Sequence, residues 1–261
     1  MKSNYLLKKV NILKGPNKKV FQDSVLILND EIKLFGKEAE KKAGELKIKI
    51  IDAKNQLIAP LLVDPHSLLL DPINGYEDNL KMLKKSAAIS GYGTVAILPH
   101  GLSFRDSPEK LLQKEVNQYE VKIYYWGGLT KNGEGKELSN HHLLINTGII
   151  GFAGHDFMLP SEIIEKLLII GETKDLPILL TPIERNIKGN GFVRESIEAY
   201  QEGLLIDNYL SEVIPLQQII DLKKNYNNNS IRIKNISTKQ SISILKDTIS
   251  PPLTSVCWWN L

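Results

Sequence analysis

Up to residue 58 the apolar positions come in short runs separated by polar turns. Residues 5–13, 24–28, 31–35 and 46–51 each read as a strand. The last of these alternates lysine with isoleucine, as a half-exposed strand does. Gly15-Pro16-Asn17 is a turn signal, because glycine and proline punctuate regular structure. The lysine-rich stretch 37–42 reads as a solvated turn or a short helix. From residue 59 the texture changes. Nearly continuous apolar runs appear at 61–63, 94–98, 121–125, 148–152, 177–180, 231–236 and 255–258, as expected of strands buried on both faces. Between them lie helical patterns at 76–90, 108–118, 160–173, 211–224 and 239–247. Ile163, Ile164, Leu167, Leu168 and Ile170 give one of these a buried stripe. Gly127-Gly128 and Gly133-Glu134-Gly135 mark loops, and residues 225–229 form a polar connector.

Strands alternating with helices predict an α/β fold, either an open doubly wound sheet or a (β/α) barrel. No glycine-rich phosphate loop follows the first candidate strand, and neither a P-loop nor GxGxxG occurs, which disfavours a nucleotide-binding open sheet. The expectation is a small β domain over residues 1–58, followed by a (β/α) barrel over 59–261.

Composition narrows the class. The 261 residues carry 33 Lys+Arg against 30 Asp+Glu, and 42% are hydrophobic, which is ordinary for a globular protein and excludes general disorder. A net charge of +3 with scattered lysines is no nucleic-acid footprint. One cysteine makes no internal disulfide and no cysteine-based zinc framework. The N-terminus has no signal-peptide core, and the greasiest stretches, 57–63 and 176–183, fall short of a bilayer. The expectation is a cytoplasmic protein with neither membrane nor nucleic-acid partners.

The segment from Leu57 through Ala59-Pro60 to Val63-Asp64-Pro65-His66 resembles the barrel opening of dihydroorotases and related cyclic-amide hydrolases of the amidohydrolase superfamily. There a β-sandwich strand passes through Ala-Pro-Gly into a first barrel strand ending Asp-x-His-x-His. The likeness continues through Asp71-Pro72, Glu77-Asp78, Ser86-Ala87-Ala88, Gly91-Tyr92-Gly93-Thr94-Val95, and Leu98-Pro99 followed by Asp106. Residues 148–152 and 176–180 match the fourth and fifth strands, and Ile236-Ser237-Thr238 resembles the Val-Ser-Thr after the sixth. The resemblance is collinear over essentially the whole chain.

What the resemblance implies is a TIM-type barrel preceded by half a β-sandwich, with zinc at the C-terminal mouth. There a bound water becomes hydroxide and attacks the ring amide. Lowering the pKa of water from 15.7 to about 7 is worth roughly 12 kcal/mol of nucleophile at neutral pH, so the metal is indispensable to that chemistry.

Position by position, most of the implied ligands are replaced. His66 keeps the first histidine, but the second falls on Leu68, which has no lone pair. The arginine that would hold a substrate carboxylate falls on Leu70, a loss of roughly 1.5–3 kcal/mol of charge-assisted bonding. His100 stands for the asparagine of the second-strand block, as a candidate substrate contact. His155, beside Asp156, stands at the bridging position after the fourth strand. The fifth- and sixth-strand histidines align with Thr181 and Asn235, and the paired histidines near the seventh with Trp259-Asn260. No counterpart of the eighth strand and its aspartate follows, so the expected barrel is incomplete, with unpaired edge strands.

Two readings follow. In one the chain is a catalytically silent member without metal, a scaffold or a degenerate copy. In the other His66, His155 and Asp156, near His100, form a rebuilt zinc site that hydrolyses a cyclic amide. Each histidine also has a bland reading as a polar residue at a strand mouth. His141-His142 read as a helix start, Asp64 as held by backbone amides, and Asp106 as a helix cap. Cys257 reads as a buried thiol, and Tyr124-Tyr125-Trp126 and Trp258-Trp259 as core aromatics. The resemblance implies as partner either a second copy of the chain or an aspartate transcarbamoylase-like subunit.

Overall fold

The alternating N-terminal runs build a single sheet in the computed structural model, which describes residues 3–69, 76–101, 104–111, 121–170, 176–226, 230–257 and 260. The chain divides into two compact units, Met1–Leu62 and Val63–Leu261. In the first, β1 (Tyr5–Ile12), β2 (Phe21–Leu28) and β3 (Glu31–Phe35) form an antiparallel meander. It is followed by α1 (Gly36–Glu45), β4 (Lys49–Asp52) and β5 (Leu57–Ile58), and both of these strands run parallel to β1. Ala39 and Ala43, four apart on α1, make a narrow apolar stripe that packs on Leu6 and Leu26. Val25, one residue from Leu26, points the other way and packs with Val10, Ile12 and Ala53. The expected half-sandwich is therefore corrected to one sheet with a helix on one face. The alanine pair in the lysine-rich stretch supplies that cover without a second sheet.

The second unit begins with β6 (Leu62–Ser67), α2 (Tyr76–Ile89), β7 (Tyr92–Ile97), α3 (Pro108–Leu111), β8 (Lys122–Tyr125), β9 (Gly127–Gly128), α4 (His141–Ile145), β10 (Phe152–Ala153) and α5 (Ser161–Ile170). It continues with β11 (Ile178–Leu180), α6 (Arg185–Lys188), β12 (Val193–Arg194), α7 (Ile197–Gln201), β13 (Ile206–Asp207), α8 (Leu210–Asn225), β14 (Ile231–Ile233), α9 (Lys239–Asp247) and β15 (Leu253–Thr254). Among the described residues its sheets are β6-β7-β8, β9-β10-β11-β14-β15 and the two-stranded β12-β13. Trp126 joins the first two. Its N–H donates to the Ile97 carbonyl at 2.9 Å, while the flanking Tyr125 carbonyl and Gly127 N–H bond Ile150 and Gly151. Glycine is required at 151, where a Cβ would lie 2.5 Å from the Trp126 ring and 2.7 Å from the Pro177 carbonyl.

The period of two sorts the strand residues. Ile178, Leu180, Ile231 and Ile233 face α5 and α8, packing with Ile163, Ile164, Leu167, Leu216 and Ile219. Each such side chain contributes about 1.5–3 kcal/mol by burial. The opposite face gathers Ala96, Leu98, Trp126, Ala153 and Leu179.

The sheets of the second unit do not close among the described residues. The strands follow one another in chain order, but β6 and β15 end that order and no ladder pairs them among the described residues. A two-residue β15 presents few backbone groups to pair. The last strand is also displaced, at 253–254 rather than 255–258. Residues 181–210, where no periodicity predicts an element, hold α6, β12, α7 and β13. Most of the expected helix 108–118, together with Leu70, Asp71-Pro72, Trp258 and Trp259, lies outside the described residues. Among the described residues no helix is long and apolar enough to cross a membrane.

Candidate functional site

The candidate residues sit at or just past the C-terminal ends of the strands, where polar side chains gather. His66 lies on β6. Asp64 Oδ1 accepts its N–H at 3.0 Å and Asp64 Oδ2 accepts the Ser67 hydroxyl, so Asp64 fixes this strand end. The His66 ring lies 5.7 Å from that of Trp126, whose indole N–H donates to the Pro65 carbonyl at 2.8 Å. Its Nδ1 is 3.1 Å from Ser255 Oγ. Burial, then the charges of Lys234 and Arg232 against the pull of Asp64, push the imidazole down to about 4. His66 is a neutral ring at physiological pH.

His100 follows β7 in a loop that buried Arg105 holds by donating to the Leu98 and His100 carbonyls at 3.0 and 2.8 Å. The His100 residue is only 6% exposed. Its Nε2 lies 3.3 Å from Asp156 Oδ1, in contact but off the hydrogen-bonding direction. Neither ring nitrogen has a well-formed hydrogen bond to a described residue.

His155 and Asp156 follow β10. The His155 ring packs edge-on to His100 at 4.9 Å, is stacked on Phe104 at 5.7 Å, and touches Phe157. Gly133, at φ +70°, closes over it, and a Cβ there would come within 2.7 Å of the ring. Burial and the neighbouring His100 hold His155 below its ordinary value. Its Nδ1 accepts the Asp156 N–H at 2.8 Å, so in the neutral ring the proton is on Nε2. Asp156 Oδ1 also meets Lys234 Nζ at 3.0 Å. The Lys234 side chain is 1% exposed and that of Asp156 57% exposed: the ammonium reaches the carboxylate from inside. The contact with His100, then the ammonium, hold the Asp156 carboxyl well below the usual carboxylate range.

The positions where the resemblance asks for ligands are engaged elsewhere. Thr181 Oγ1 donates to the His155 carbonyl at 2.8 Å. Asn235, at φ +63°, accepts from Cys257 Sγ at 3.5 Å, which places that half-buried thiol against a polar group. Leu68 is half exposed, Asn260 is exposed, and Leu70 and Trp259 lie outside the described residues. His141 starts α4 behind the Asn140 cap, with Nε2 3.0 Å from the Leu129 carbonyl. Asp106 is not a simple cap: it accepts the Asn132 N–H and the Lys110 ammonium, each at 2.6 Å, and so ties the 131–133 turn to this loop.

Among the described residues, His100, His155 and Asp156 bring three potential ligand atoms within 4.8 Å of one another, and His66 stands outside that group. Spacing alone suits a metal, since donors around tetrahedral zinc lie roughly 3.3 Å apart. The donor chemistry does not fit. The oxygen shared with His100 is neutralised by an ammonium, and the His155 lone pair is turned to a backbone N–H.

Sequence reasoning misses Lys234. The signal was available: with Ile231 and Ile233 facing the helices, Arg232 and Lys234 fall on the face of Leu179 and Thr181. The backbone N–H of Lys234 donates to the Leu180 carbonyl at 3.0 Å, fixing it there.

No protein-family model matches the chain. A probable dihydroorotase-like protein of Synechocystis sp. is 30% identical over 81% of this chain and 54% of its own length. The dihydroorotase of Ehrlichia chaffeensis is 26% identical over 94% of this chain and 56% of its own. The chain thus spans about half the length of the curated relatives it matches. Among solved structures, the Campylobacter jejuni dihydroorotase superposes with a TM-score of 0.52 at 14% identity, over 76% of this chain and 53% of that one. A D-aminoacylase reaches 0.58 at 14% identity, over 97% and 57%. These two show likeness of fold.

Proposed function

We propose, from the premise that the chain belongs with the dihydroorotase-like proteins of the amidohydrolase superfamily, that it is silent as a ring-opening hydrolase. The observation that carries this reading is the engagement of Thr181 and Asn235 with the His155 carbonyl and Cys257, at positions where the family resemblance asks for histidine. Hydroxide at neutral pH needs a Lewis acid, and a Lewis acid needs lone pairs aimed at one point. Here Leu68 has none, the Thr181 hydroxyl is turned to the His155 carbonyl as a donor, Asn235 accepts from Cys257, and His66 pairs with Ser255. The fold is retained while the donors diverge, which suits a scaffold. As its partner we propose a second copy of the chain or an aspartate transcarbamoylase-like subunit, and as its location the cytoplasm, both on family resemblance. A second reading, zinc held by His100, His155 and Asp156 in an incomplete TIM-type barrel, is favoured only by their spacing. Incubating the purified chain with dihydroorotate and zinc tests the proposal. The expected result is no ring opening above the buffer rate. Turnover that disappears in His100→Ala and Asp156→Asn would overturn it.

A further inference from the structure

Resting on the silent reading and going beyond it, we propose that Lys234 is the resident cation of this site: its ammonium excludes a divalent ion, and removing it turns His100, His155 and Asp156 into a zinc site.

The geometry has three parts. Asp156 Oδ1 is contacted by Lys234 Nζ at 3.0 Å and His100 Nε2 at 3.3 Å, so an ion bridging His100 to that oxygen must come up against the ammonium. Lys234 is buried, its backbone is anchored on the Leu180 carbonyl, and its ammonium is turned to Asp156. His100 is buried, neither ring nitrogen makes a well-formed hydrogen bond to a described residue, and Nε2 touches only Asp156 Oδ1, a group that a ligand would satisfy. The remaining constraint, the Asp156 N–H on His155 Nδ1, is a single exposed hydrogen bond. Even at the dielectric of water, a dication about 4 Å from an ammonium loses at least about 30-fold in affinity. Asp156 is half exposed, so it stays hydrated when its partner is removed.

The test is a zinc titration in competition with a chromogenic chelator at neutral pH, on the native chain, Lys234→Met, Lys234→Arg and Lys234→Met combined with Asp156→Asn. Thermal melts confirm that each is folded. The native chain and K234R are expected to leave the chelator loaded. K234M is expected to take up one zinc at least about 30-fold more tightly, and the added Asp156→Asn to abolish that gain. Lys234→Gln, neutral and of similar length, replaces K234M if the latter does not fold. A folded, neutral Lys234 variant that binds no better than the native chain would overturn the proposal and leave the silent reading standing. A native chain that itself binds one zinc, lost on His100→Ala, would overturn both.

Discussion

Lys234, Asp156, His66, His100 and His155 gather at the strand ends, with the Lys234 ammonium held against the Asp156 carboxylate at 3.0 Å. His66 is the residue most exposed to this arrangement. Its pKa is about 4 folded, against about 6.5 in an unfolded chain, so between these values the unfolded state binds more protons. Stability therefore rises with pH through this window and is lost as pH falls from about 6.5 towards 4, by on the order of 3 kcal/mol. Asp156, with its depressed pKa, adds to the loss below about pH 4. Urea melts across this range are expected to show the slope, and His66→Gln to flatten its upper part; an unchanged slope would remove His66 from the account. Gly133 supplies a second residue-scale prediction. Alanine there must hold φ near +70° and push against His155, costing about 1–2 kcal/mol and shifting the His155 ring resonances. His100, His155 and Asp156 are legible as candidates because histidine and aspartate after apolar runs stand out. Lys234 is not, because a lysine in Ile-Arg-Ile-Lys reads as a solvated position, as its neighbour Arg232 is.

At the scale of elements, the Ser237-Thr238 pair acquires a structural reason. Glu212, fully buried at the start of α8, accepts both backbone N–H groups and both hydroxyls of this pair at 2.7–3.2 Å. Arg194 on β12 donates to it at 2.9 Å, and Thr238 caps α9 by accepting the Ser241 N–H at 3.1 Å. Burial alone would raise the Glu212 carboxyl, but the hydrogen bonds from Ser241, Ser237 and Thr238 hold it below its ordinary value. One carboxylate thus ties α8, α9 and the excursion between β11 and α8. Glu212→Ala is expected to cost about 3 kcal/mol and lower the melting temperature by roughly 6–12 °C, without change in zinc affinity. A loss below about 0.5 kcal/mol would refute the clamp. Most strands and the longer helices are readable from runs and periodicity, whereas β9 falls on Gly127-Gly128, which reads as a loop. The excursion is not readable, because its short elements are fixed by Glu212 and Arg194 rather than by any repeating apolar pattern.

At the scale of the whole molecule, the order of the strands follows from the chain, whereas closure depends on pairing between the first and last of them. No local pattern encodes that. The end strands of the second unit carry exposed apolar side chains, Val63 on β6 and Leu253 on β15. Such edges invite pairing. Light scattering on the purified chain is expected to give a mass above the monomer, and a strictly monomeric chain at high concentration would contradict this. The most direct measurement for the account as a whole is the zinc content of the native chain, purified from zinc-supplemented cells without chelators. The account predicts far less than one ion per chain. Near one ion per chain, lost on His100→Ala or Asp156→Asn, would contradict it.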